Sequence, residues 1–145
     1  MPPTSLQVSP HQLEAISSHV RAGFPEEVCG LMGGVGGVVR EVFPVPNVAA
    51  EPRTSFFMEG QRLYDVLALL EKRGWDLVAI YHSHPPGCRT DPSPSDLGQA
   101  YYPDTLHVIV VPDQEGEIAS LRAFAIVAGR AVEVPIRILP DGAVA

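Results

Sequence analysis

Ala79-Ile80-Tyr81-His82-Ser83-His84-Pro85, with Ser93-Pro94-Ser95-Asp96 shortly after it, is the stretch around which the chain can be read. An apolar run over 77–81, closed by a proline-rich segment, predicts a buried strand. Side chains alternate across a strand, so His82 and His84 share a face and can close on one metal ion. Asp96 returns a carboxylate twelve residues after His84. Two imidazoles and one carboxylate suit a catalytic zinc that keeps its fourth position for water. His-x-His alone is often a structural pair. The position at a strand end and the short, stiff return to an acid strengthen the metal reading here. Ser93 and Asp96 also make a good helix start, with Ser as N-cap, Pro94 at the first position and Asp near the positive end of the dipole. The two roles are compatible, because a first-turn carboxylate can point out of its helix.

Upstream, Ser9-Pro10-His11-Gln12 predicts a helix start. Leu13, Ile16 and Val20 fall at helical spacing, and Gly23 with Pro25 supplies the stop, giving a helix over roughly 10–22. His11 and His19 read as its solvent-facing residues. A turn at Pro25 leads into a short glycine-punctuated strand over 28–34, a hairpin turn at Val35-Gly36-Gly37 and a return strand Val38–Val45. A loop over 47–54 precedes Ser55-Phe56-Phe57-Met58, read as a short edge strand. Leu63, Val66, Leu67 and Leu70 define the clearest helix, Gly60–Arg73, stopped by Gly74. The central strand covers 75–82, and the three prolines of 85–92 make a stiff loop. A short helix begins at Ser93 and extends toward Tyr101. Strands follow over 106–111, 117–127 and 131–139, the last two joined around Gly129, and the tail frays from Asp141. Phe57 and Trp75 read as core. The expected fold is one α/β domain over 1–145, with an ordered core of about 9–138. It has a mixed, largely antiparallel sheet flanked by two or three helices.

The 145 residues carry 10 basic and 17 acidic side chains, a net charge of −7, with 46% hydrophobic and 19% charged residues. That is an ordinary globular composition, and it argues against a general nucleic-acid binder. There is no basic, apolar leader pattern and no apolar run approaching the ~20 residues of a membrane span, so the cytoplasm is expected. Cys29 and Cys88 stand apart from any CxxC pair and read as free thiols, Cys29 small and buried, Cys88 in the loop near the site. His107 reads as a packed residue rather than a ligand. Hydrolysis at a metal further needs a base for the water and a donor for the developing oxyanion. Glu26 and Glu27 are both candidates for the base, with an ordinary exposed turn acid as the alternative, and Ser93 can supply the hydroxyl.

The combination P-x-E-x-C-G-L-M-G over 25–33, H-S-H-P over 82–85 and S-x-x-D over 93–96 resembles the JAMM, or MPN-type, zinc metalloproteases. The likeness runs over about 9–138. It implies a cytidine-deaminase-like α/β sandwich with a curved, barrel-like sheet. It further implies that His82, His84 and Asp96 hold one zinc ion, that Glu27 rather than Glu26 activates the water, and that Ser93 steadies the oxyanion. One departure is that eight residues separate His84 from Ser93 where the family usually has seven. A bulge in the loop is the expected accommodation, with Asp91 as the fallback ligand. The short, stand-alone form is similar to the prokaryotic branch. The implied activity is hydrolysis of peptide or isopeptide bonds at the Gly-Gly C-terminal tail of a ubiquitin-like or sulfur-carrier protein, the tail lying along a strand edge. A metal-binding scaffold of the same fold without peptidase activity is the alternative, and the complete residue set argues against it. A zinc nucleobase deaminase would need H-x-E and P-C-x-x-C, neither of which is present.

Overall fold

The computed structural model describes residues 1–98 and 102–141. In chain order its elements are β1 (Leu6–Val8), α1 (Pro10–Gly23), β2 (Cys29–Val35), β3 (Val38–Val45), α2 (Gly60–Arg73), β4 (Asp76–Ser83), α3 (Pro94–Gly98), β5 (Leu106–Pro112), β6 (Ile118–Val127), β7 (Arg130–Val134) and β8 (Ile136–Ile138). The strands form one 8-stranded sheet in the order β7-β6-β5-β4-β2-β3-β1-β8. The pairs β2–β3, β2–β4, β5–β6 and β6–β7 are antiparallel, while β4–β5, β1–β3 and β1–β8 are parallel. β7 and β8 occupy opposite ends of this order, yet only Pro135 separates them in sequence. One residue reaches at most ~3.6 Å, so the two ends of the sheet must meet and the sheet must roll up.

Local chemistry sets the helices. Ser9 Oγ accepts the Gln12 N–H at 3.3 Å and Gln12 Oε1 accepts the Ser9 N–H at 3.0 Å, a reciprocal cap with Pro10 at the first helical position. The Glu59 carboxylate caps α2, accepting the Gln61 and Arg62 N–H groups at 2.9 and 2.7 Å. α1 buries Ile16 and Val20 against Met32, Val39, Tyr81 and Val108, whereas α2 buries Val66 and Leu70 against Leu31, Phe43, Val45 and Ile80. Leu31 and Met32, like Ile80 and Tyr81, are strand neighbours in different clusters, so the two helices cover opposite faces of the sheet. His82 and His84 follow the alternation of Ile80 and lie on the α2 face. The two-residue turn Gly36-Gly37 has φ of 63° and 86°, the left-handed pair that a tight hairpin between right-twisted strands requires.

Several expectations are corrected. Ser55-Phe56-Phe57-Met58 makes no strand, only an isolated bridge between Asn47 and Met58. The strand expected over 131–139 breaks at Pro135, which has no N–H for a ladder, into β7 and β8 on opposite edges of the sheet. β1 is a strand that no periodicity announced: three residues, paired in parallel with β8 and β3. His19 does not face solvent alone; its Nδ1 lies 2.7 Å from the buried Tyr81 hydroxyl. Phe57 is 68% exposed rather than core. Trp75 is partly buried beside α2, with the Arg73 guanidinium 4.7 Å above its ring. The end of the helix expected to reach Tyr101 lies outside the described residues.

Candidate metal centre

The register of β2 against β4 builds the site. Cys29 pairs with His82 and Gly30 with Tyr81, and the pairing persists beyond the ladder. The Ser83 N–H donates to the Val28 carbonyl at 2.9 Å, and the Val28 N–H donates to Ser83 Oγ at 2.8 Å. One step further along an antiparallel pair, Glu27 comes level with His84. Its backbone is fixed there by two more bonds: the Glu27 N–H donates to Pro52 O at 2.7 Å, and Asn47 Nδ2 donates to Glu27 O at 2.8 Å. Glu26, one residue earlier, is exposed.

His82, His84 and Asp96 converge as the spacing implied, and their ligating atoms lie within 4.8 Å of one another. His82 Nε2 is 3.0 Å from His84 Nε2, His84 Nε2 is 3.1 Å from Asp96 Oδ2, and His82 Nε2 is 3.3 Å from Asp96 Oδ1. Ligands 2.0–2.2 Å from a tetrahedral centre stand roughly 3.3–3.6 Å apart. Small outward shifts of these three atoms would therefore seat a metal ion. The groups around them are also suited to it. His84 Nδ1–H donates to the Arg89 carbonyl at 2.8 Å, so that on giving up its other proton the ring would offer its Nε2 lone pair to a metal. Phe56 stacks on His82 with ring centroids 4.3 Å apart and planes at 24°. The groups also polarise one another. Burial disfavours the charged form of Asp96, but hydrogen bonds from His82 and His84 overcome it and hold the carboxyl far below the usual range. Burial lowers His82 despite Asp96. His84 is raised: burial opposes its charge, but Asp96 and the Arg89 carbonyl prevail.

The longer loop still delivers its residues. Pro85-Pro86-Gly87-Cys88 forms a turn closed by the Cys88 N–H to Pro85 O bond at 3.1 Å, with Gly87 at φ 75°. Proline at its second position and a left-handed glycine at its third are what a type II turn needs, so the extra residue is taken up before Ser93. Arg122 donates to Thr90 Oγ1 at 2.7 Å and holds the loop from β6. Ser93 and Asp96 then cap α3 reciprocally: the Ser93 N–H donates to Asp96 Oδ2 at 2.8 Å, and the Asp96 N–H donates to Ser93 Oγ at 3.1 Å. Asp96 thus completes the helix cap while its carboxylate also meets both histidines. The fallback Asp91 is turned away, paired with Arg89 at 2.9 Å.

Glu27, His84, Ser93 and Asp96 line one open cleft of about 260 Å³, with Phe56, Cys88 and Arg89 on its walls. Glu27 is 5% exposed. Burial, opposed by His84, raises its carboxyl to about 7. Cys88 is an exposed free thiol and Cys29 a buried one. His107 is buried, as expected, and is pushed down to about 4 chiefly by that burial. Two contributors escaped the sequence. Asn47 uses its whole amide, donating to Glu27 O and Ser55 O and accepting from the Ala49 and Phe57 N–H groups, all at 2.8–3.0 Å. Phe56 covers His82. An Asn after a strand and a Phe in a loop carry no local pattern that would have marked either one.

A family model described as prokaryotic homologs of the JAB domain matches residues 9–127. The chain is 36% identical over 121 residues to a desampylase of Haloferax volcanii, covering 78% of this chain and 85% of that protein. It is 41% identical over 88 residues to a probable TtuB-protein conjugate cleaving protease of Thermus thermophilus, covering 61% and 58%. Over 129 residues it is 30% identical to a CysO-cysteine peptidase of Mycobacterium tuberculosis, covering 88% and 86%. A solved structure from Desulfitobacterium hafniense superposes with a TM-score of 0.79 at 26% identity, over 94% of both chains.

Proposed function

We propose, from the premise that this chain belongs to the family of prokaryotic JAB-domain homologs, that it is a zinc-dependent hydrolase. It cleaves peptide or isopeptide bonds at the C-terminal tail of a small ubiquitin-like or sulfur-carrier protein. The observation that carries this reading is the convergence of His82, His84 and Asp96, two of which, His84 and Asp96, line one cleft with the buried Glu27. The substrate class is supported by relatives named as a desampylase, a conjugate-cleaving protease and a CysO-cysteine peptidase.

His82 Nε2, His84 Nε2 and an Asp96 oxygen would hold the zinc, which supplies a Lewis-acid centre and an acidified water. Glu27 takes a proton from the attacking water and hands it to the departing amine. Burial pushes this carboxyl above the ordinary carboxylate range, which favours its taking up the proton that it passes on. Ser93 Oγ accepts the Asp96 N–H, which leaves its own O–H to donate to the carbonyl oxygen as negative charge builds there. A tail ending in two glycines, as the family resemblance implies, lets the backbone lie close to these groups. We take residues 1–145 as one domain, a reading supported by the pairing of β1 with β8. We place the protein in the cytoplasm, which its two free thiols support. Among the described residues no helix is long and apolar enough to cross a membrane.

The test is hydrolysis of a ubiquitin-like protein whose Gly-Gly tail is joined either to a peptide amine or to a lysine side chain. Zinc-loaded protein is expected to cleave, chelator to stop it and added zinc to restore it. Glu27→Gln should keep stoichiometric metal while turnover falls about 10²–10⁴-fold. Full activity in that variant would remove Glu27 from the mechanism, and inertness of the zinc-loaded protein toward both linkages would overturn the assignment.

A further inference from the structure

A second cavity, also about 260 Å³, flanks the metal-binding cluster on the His82 side. It shares Phe56 and Asp96 with the Glu27 cleft but not Glu27 itself. Its walls are Phe57, Met58, Leu63, Ile80 and the half-buried Tyr102, and the buried polar side chain set among them apart from the cluster is His107. His107 sits on β5 opposite Ile80 and is 8% exposed. Its Nε2 is the buried side-chain nitrogen or oxygen that finds no hydrogen-bond partner among the described residues. A buried polar atom without a partner in a native protein calls for an explanation. At the rim, Phe57 holds its ring 68% exposed, an arrangement that a bound side chain would cover.

We propose that this cavity is the side-chain subsite for the acyl side of the substrate tail, and that it selects a tyrosine whose hydroxyl pairs with His107 Nε2. The inference rests on the hydrolase reading above. In that mechanism Glu27 protonates the departing amine, so the amine leaves through the cleft that Glu27 lines. The acyl portion then runs across the metal site toward His82, where this cavity opens. The two terminal glycines have no side chain to place in it and span about 7 Å when extended. The occupant is therefore the residue before them. Apolar walls with one buried nitrogen match a side chain with an apolar body and a hydrogen-bonding tip. A site built around such a pair discriminates against the analogue lacking the hydroxyl, because the buried partner is then left unsatisfied.

The experiment uses acetyl-X-Gly-Gly peptides with X as Tyr, Phe, Ala or Asp. Their binding to the zinc-loaded protein is followed by NMR titration, alongside hydrolysis of the matching X-Gly-Gly-aminomethylcoumarin amides. The Tyr peptide is expected to bind at least about tenfold more tightly than Phe, and Phe more tightly than Ala or Asp. His107→Leu should erase the Tyr-over-Phe difference while keeping Phe above Ala. Phe57→Ser, at an exposed position that folding tolerates, should weaken Tyr and Phe alike. Equal binding of Tyr and Phe by the unaltered protein, or of Asp and Tyr, would overturn the subsite. Hydrolysis indifferent to X would overturn it while leaving the hydrolase intact. Selective binding of Tyr without hydrolysis of any amide would uphold the subsite and overturn the hydrolase.

Discussion

Glu26 and Glu27 are adjacent and chemically alike, yet Glu26 stands in solvent while Glu27 is 5% exposed. That difference sets a titration. Burial raises the Glu27 carboxyl from 4.5 to about 7, so between those values the native protein holds a proton that the unfolded chain has lost. In the metal-free protein this contribution is fully present below pH ~4.5 and is lost as pH rises to about 7, by up to about 3 kcal/mol. His107 and His82, both lowered by burial, pull the other way over the same window, so denaturant titrations should show stability climbing more steeply with pH in Glu27→Gln than in the unaltered protein. A bound divalent cation favours the carboxylate. The acid limb of turnover in the loaded enzyme should accordingly lie below pH ~7, read from kcat/KM against pH. A limb well above 7 would mean that another group titrates.

At the scale of elements, the site depends on how the loop over 47–58 is tied to β2. Asn47 satisfies all its amide groups in doing so, fixing the backbone of Glu27 and that of Phe57. Asn47→Ala should destabilise the protein by about 1–3 kcal/mol, and should lower kcat with stoichiometric metal retained, because the proposed ligands lie at the end of β4, just after it and in α3. Loss of metal in that variant would place Asn47 in support of the ligands instead. The loop after His84 shows the same division of labour. Its type II turn depends on Gly87 at φ 75°. Gly87→Val should cost about 1–2 kcal/mol of strain and weaken zinc affinity through Asp96, which is measurable by competition with a chelator.

The whole molecule carries its stability away from the proposed metal site. Cores lie on both faces of a sheet whose ends are joined through Pro135, and the proposed ligands stand at the end of one central strand and the start of a short helix. Metal removal should leave the far-UV circular dichroism unchanged, and saturating zinc should raise Tm by the usual linkage to the native state. A metal-free protein that is unfolded at 25 °C would show the packing alone to be insufficient. Sequence by itself determined what is local. The Ser9 cap, the four leucine-and-valine positions of α2 and the shared face of His82 and His84 depend only on spacing along one element, and so does the reciprocal pair Ser93 and Asp96. Tertiary structure decided what depends on register and closure. It buried Glu27 beside the histidines and left Glu26 in solvent by continuing the β2–β4 pairing, and it drew His19 to Tyr81 across a helix–sheet interface. Likewise it split the last strand so that β8 could cover β1, and it left Phe57 outside while Phe56 covers His82. Alternation along a chain says which side chains share a face. Only pairing between distant strands says what stands opposite them, and that is a property of the closed sheet rather than of any segment within it.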